Sequence, residues 1–141
     1  LFPERYARGD RPVQLRFQAG EAGAAYDDVM GELGLRILES VLAGENRITS
    51  VVSRGWGGDR FRVYETEYGP ALVWYVVWDD SRARGRFLQQ VAPRLHARSR
   101  PGYRSEVASV ELEGRPATRW IFAPALWDRW RNPPAVTSGA R

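Results

Sequence analysis

The sequence predicts an α+β fold, an antiparallel sheet of about five strands with two helices packed on one face. Three observations carry that expectation. Residues 71–78 are apolar on both pleat faces, with Leu72, Trp74, Val76 and Trp78 on one and Ala71, Val73, Tyr75 and Val77 on the other. A strand with no side suited to water is central and covered twice. Two pairs of strand-like runs are punctuated by turn residues, Glu67-Tyr68-Gly69-Pro70 in the first pair and Gly114 in the second, which predicts two hairpins. Two further stretches repeat apolar residues every three or four positions, the period of a helix buried along one stripe.

The elements follow in order. Residues 13–18 alternate Val13, Leu15 and Phe17 against Gln14, Arg16 and Gln18, a half-buried strand. Tyr26, Met30, Leu33, Ile37 and Val41 predict a helix over residues 26–42 with Gly44 as its stop signal. Gly31 and Gly34 fall inside it, each costing about 1 kcal/mol relative to Ala, which suits a close helix-to-sheet contact. The Gly55-Trp56-Gly57-Gly58 corner then opens a strand with Phe61, Val63 and Tyr64 apolar and Arg60, Arg62 and Glu65 polar, a half-exposed partner for the central strand. Asp79, Asp80 or Ser81 caps a second helix whose buried stripe is Ala83, Phe87, Val91 and Leu95, ended or kinked at Pro93. Residues 106–113 and 117–123 form the second hairpin, and residues 124–131, with Leu126, Trp127 and Trp130, form a short amphipathic turn of helix. The order β-α-β-β-α-β-β fits a ferredoxin-like sandwich with an added strand.

At 141 residues and 43% hydrophobic content with six Trp, the chain makes one domain, residues 1–131, with a flexible Pro-, Gly- and Ser-rich tail over residues 132–141. No apolar run approaches the roughly twenty residues needed to span a bilayer. The chain opens on Leu1 and its only methionine is Met30, so it reads as processed or cut from a longer precursor. Cysteine is absent, which removes disulfides, thiolate catalysis and Cys-based metal sites. All 21 basic residues are Arg. Residues 1–80 hold nine Arg against thirteen acids, whereas residues 81–141 hold twelve against four. Residues 81–105 contain seven Arg, among them Arg82, Arg86, Arg94 and Arg98, and no acid, a block suited to an acidic partner or phosphate.

Several stretches carry a resemblance. Phe2-Pro3-Glu4-Arg5-Tyr6, Met30-Gly31-Glu32-Leu33-Gly34-Leu35-Arg36, the Gly-Trp-Gly-Gly-Asp-Arg corner at 55–60 and Ala71-Leu72-Val73-Trp74 through Asp79 resemble the C-terminal region of a poorly characterised family of exported bacterial and haloarchaeal surface proteins. The resemblance covers residues 2–92 and is most specific at the corner and strand. It implies an extracytoplasmic place: periplasmic, cell-surface or secreted. In that family a zinc-metallopeptidase-like segment often precedes this region. No His-Glu-x-x-His stands in this sequence, so no catalytic residue carries over.

Read for chemistry, the residues favour scaffold roles. His96, the only histidine, sits between Arg94 and Arg98 near a helix end, where the helix dipole or solvent accounts for it. Asp59, Asp79 and Asp80 have the ligand chemistry for Mg²⁺ or Ca²⁺, but capping by Asp79 and Asp80 and a turn role with an Arg60 contact for Asp59 are the expected uses. The glycine corner precedes a strand and has no following Lys, so it is neither a dinucleotide fingerprint nor a phosphate loop. Trp74, Tyr75 and Trp78 are expected in the core, with a small apolar ligand as their other use. The expectation is therefore a non-catalytic extracytoplasmic protein-interaction domain or accessory subunit, not an enzyme, with no metal and no cofactor. Its partner is another protein or a missing N-terminal segment of the same precursor, through Arg82, Arg86, Arg94, Arg98, Trp127 and Trp130. An accessory region of a zinc-peptidase-like protein ranks second, and a module binding a small apolar ligand, polyanion or nucleic acid third.

Overall fold

The computed structural model describes residues 12–32, 34, 35, 38, 52–98 and 100–138. Strand β1 (Leu15–Phe17) is followed by β2 (Ala24–Asp28), by helical residues 31, 32, 34, 35 and 38, and by a 3-10 turn at Val52–Gly55. The hairpin β3 (Trp56–Thr66) and β4 (Gly69–Trp78) comes next, then helices α1 (Ser81–Gln90) and α2 (Ala92–His96). A second hairpin, β5 (Tyr103–Leu112) and β6 (Arg115–Pro124), precedes β7 (Val136–Ser138).

The fold is α+β, as expected, and both hairpins stand where the turn residues placed them. Five strands form one sheet in the order β2-β3-β4-β6-β5, and every neighbouring pair is antiparallel. β4 lies near its middle with Ala71 and residues 73–78 buried. The ferredoxin-like sandwich is not confirmed in this order. One split β-α-β unit is present, since β4 and β5 run parallel with β6 between them. The other half would need β2 to cross over into a parallel place, and β2 instead sits as the antiparallel neighbour of β3.

Helices cover one face. Ala83, Phe87, Val91 and Leu95 are all buried and pack with Leu35, Trp56, Trp74, Val76, Trp78 and Trp120. Asp80 caps α1, its carboxylate accepting from the Ala83 N–H at 2.8 Å. Pro93 breaks the helical run as expected, with α2 restarting after Val91. Burial of Phe87 alone stabilises the assembly by about 1.5–3 kcal/mol.

The other face is also covered, by a thin layer that the sequence did not announce. β1 pairs antiparallel with β7, Leu15 opposite Ser138 and Phe17 opposite Val136. Leu15, Phe17, Val136 and Trp127 pack on Tyr64, Val73, Tyr75 and Ile121. This corrects the expected loose tail over residues 132–141, because Val136 is buried and the Tyr75 hydroxyl donates to the Pro134 carbonyl at 2.5 Å. Residues 139–141 lie outside the described residues. Residues 125–131 form turns and bends instead of the helical turn expected over 124–131; the Trp130 indole N–H is bonded to the Pro124 carbonyl at 2.8 Å and holds the chain in a tight bend.

The first predicted helix also starts late. Tyr26 to Asp28 belong to β2, where Asp27 pairs with Arg60 and Arg62 across from β3. The helix begins after Met30 because an acceptor waits there: Asp59, described below. Leu33, Ile37 and Val41, the remainder of the predicted stripe, lie outside the described residues.

Candidate functional site

The glycine corner is a packing knot. Gly58 has φ +146, and a Cβ on it would lie 2.2 Å from the Val13 carbonyl oxygen, so only glycine lets the segment before β1 cross here. A Cβ on Gly55 would stand 2.1 Å from the Ala83 Cβ, which makes glycine the condition for α1 to dock. Between them the register of β3 against β4 shifts between Trp56 and Gly58.

That bulge aims Asp59 inward, where it is 2% exposed. Its carboxylate accepts from the Met30 and Gly31 backbone N–H groups at 2.7 and 2.8 Å and from the Trp56 and Trp74 indoles at 3.2 and 2.9 Å. The expected turn role with an Arg60 contact is corrected: Arg60 pairs with Asp27, and Asp59 ties the helix start to the sheet through four donors. A carboxylate so saturated has its acceptor capacity committed to the scaffold.

The expected Arg and Trp surface does not form one patch. Arg82, Arg94 and Arg98 are exposed and Arg86 half-buried, all on the helical side of the sheet. Among the described residues none of the four makes an ion pair. Arg94 donates to the Gln90 carbonyl, and the buried Nε of Arg86 has no hydrogen-bond partner. Arg84 differs, bonding Glu111 at 3.0 Å. Trp127 lies across the sheet, only 7% exposed, with its ring 5.8 Å from Tyr64. Trp130 packs edge-on against Trp127 and lies under the Arg104 guanidinium at 4.2 Å. Trp127 is thus core, not contact surface. His96 is exposed.

The other aromatics meet the core expectation. Trp74, Tyr75 and Trp78 are buried, and the Trp78 indole donates to Thr118 Oγ1 at 3.2 Å.

A cleft of about 620 Å³ opens beside Trp127, between the β1–β2 segment, the β3–β4 turn and residues 126–129. Its inner wall, at Glu21 and Tyr64, is backed by a polar network. Arg62, 9% exposed, stacks over Phe17 at 4.9 Å and donates to Asp27 at 2.9 Å, Glu21 at 2.8 Å and the Gln18 carbonyl at 2.8 Å. Burial by itself would lower the Arg62 pKa, but the bonds and charge of Asp27 outweigh it and raise it. The Tyr64 hydroxyl donates to Glu21 at 2.6 Å; burial first, and then the Glu21 carboxylate, push its pKa up. At the mouth, Tyr68 is 49% and Leu126 71% exposed. Sequence reading missed this cleft, because its walls come from three separated segments that no spacing rule links.

Among the described residues no group of three or more His, Asp or Glu side chains is arranged to hold a metal ion. No helix of the described residues is long and apolar enough to cross a membrane. The family described as "Domain of unknown function (DUF8575)" matches residues 16–121. The chain belongs to that family. Its match runs from β1 to β6 and takes in the Asp59 knot and α1, and it ends before Leu126, Trp127 and β7. No curated protein matches the chain, and no solved structure does.

Proposed function

We propose that this DUF8575 domain is a non-catalytic interaction or accessory domain that meets an acidic partner protein through its helical face. The observation that carries the reading is the row Arg82, Arg86, Arg94 and Arg98, which among the described residues has no acidic partner, next to an Arg84 that has one. Guanidinium groups held apart from internal carboxylates remain available for bidentate pairing with a partner's carboxylates. The residues best suited to chemistry serve elsewhere: Asp59 and Asp80 hold helix starts, and the strand aromatics fill the core. The resemblance at the corner supports an extracytoplasmic place for the domain, which N-terminal sequencing of the natural product in fractionated cells would check.

The test is native-state sizing of the natural protein, wild type against Arg82→Glu/Arg94→Glu/Arg98→Glu. All three positions are exposed, so the fold is expected to survive, with an unchanged unfolding midpoint. The wild type should migrate in a larger assembly that the triple variant leaves. A wild type that migrates alone, or a variant that stays assembled, would sink the reading. Binding of polyanions with a steep salt dependence would move the assignment to nucleic acid.

A further inference from the structure

The cleft beside Trp127 lies on the opposite face of the sheet from the arginine row, and its chemistry is the inverse. Glu67 reaches its mouth from the β3–β4 hairpin, and Asp128 reaches it from the turn after β6. Both are exposed, and neither makes an ion pair among the described residues. Arg129, the one cation in the lining, is turned toward Glu21 at 3.7 Å and the Asn132 carbonyl at 3.0 Å. Two like charges on neighbouring segments repel one another unless a cation joins them. Their reach is felt at Tyr68, whose hydroxyl pKa is raised by Glu67 foremost and also by Asp128.

A small metal ion does not fit, since among the described residues no group of three or more such ligands comes together. The mouth also offers two exposed apolar surfaces, Tyr68 and Leu126, which bare metal chemistry would leave unused. A tyrosine face beside carboxylates is the setting in which a guanidinium or ammonium group is held by stacking and charge together. The inner wall needs no rearrangement, because Glu21, Tyr64 and Arg62 are already locked by mutual hydrogen bonds. We propose that this cleft is a binding site for a peptide segment of a partner protein that carries an Arg or Lys next to an apolar residue. The basic side chain sits between Glu67 and Asp128, and the apolar one on Leu126.

Nuclear magnetic resonance titration of the whole chain at low salt tests this, with acetylated and amidated Arg-Leu-Arg as the probe and Glu-Leu-Glu as the control. The expected result is amide shifts confined to residues 21–23, 65–68 and 126–129, seen with the first peptide only. Glu67→Gln/Asp128→Asn should weaken binding roughly two- to tenfold, the effect of two exposed ion pairs. Leu126→Ser should weaken it by removing the apolar contact. Both variants change exposed side chains and should keep the wild-type spectrum outside the cleft. Absence of shifts at millimolar peptide, equal shifts with Glu-Leu-Glu, shifts centred elsewhere, or variants that bind as the wild type does would each overturn the proposal. The arginine row enters none of these readouts, so failure here and failure of the helical-face reading are distinguishable.

Discussion

The two faces of the sheet bury their residues by opposite means. Under the helices, Phe87 lies against Trp74 and Trp78 with ring centroids 6.2 and 5.1 Å away, and the central polar group is Asp59, saturated by four donors. Under the β1–β7 pair, apolar cover is thin. Polar contacts complete it: Arg62 with Asp27 and Glu21, Tyr64 with Glu21, and Tyr75 with Pro134. A core of apolar mass closes on itself. A core finished by polar contacts stays connected to solvent, and the cleft is where that connection opens. The difference teaches that burial alone does not mark a site; the face completed by polar contacts is the one that leaves a cleft open.

The largest break in that comparison is Asp59→Ala. It leaves two indole and two backbone N–H groups without their acceptor, and a buried donor so stranded costs about 1–3 kcal/mol. The effects are not additive, and a net loss of at least about 3 kcal/mol is expected in urea unfolding. Asp59→Asn, which sets an amide NH₂ against donors, should recover less than half of it. A loss under about 1 kcal/mol would mean that the helix start is held by something else.

Alkali should attack the other face. Tyr64 and Tyr75 both have raised pKa values in the fold, each chiefly through burial. The folded state therefore holds their protons more tightly than the unfolded chain. The stability this gives is full below the unfolded tyrosine value of about 10 and is lost as pH rises past it toward the folded values. Thermal unfolding midpoints should fall above that pH, and Tyr64→Phe should blunt the fall. Ultraviolet titration that finds every tyrosine ionising as in urea would contradict this.

The smallest change sharpens the contrast locally. Tyr75→Phe removes one buried hydrogen bond, worth about 1 kcal/mol. Hydrogen exchange should show protection lost at β1 and β7 more than at β4. A uniform loss would mean that the strand pair is integral to the sheet and not a cover upon it.

Much of this fold was legible in the sequence. Residues 71–78, apolar on both sides, had to be central, and the Ala83, Phe87, Val91 and Leu95 stripe had to be a helix face. Residues 26–28 misled because Tyr26 is in phase with Met30 while Asp27 answers to Arg60 and Arg62, far along the chain. Arg62 read as a half-exposed strand residue because nothing local announces the layer above it. Strand β7 was hidden for the same reason, since three residues in a Pro-rich stretch form a strand only if a distant partner, β1, is waiting. The site was less legible than the fold. The four arginines do share a side of the sheet, but Trp127 and Trp130 were assigned by residue type, and type alone does not say which face a turn presents.

Gly55, Gly58, Trp56, Asp59 and Trp74 interlock so closely that altering one strands the others. Such a set holds only as a whole. It makes a good surname and a poor job description: chains that share it are expected to share a frame, while Leu126 and Asp128 at the cleft mouth lie beyond the matched stretch.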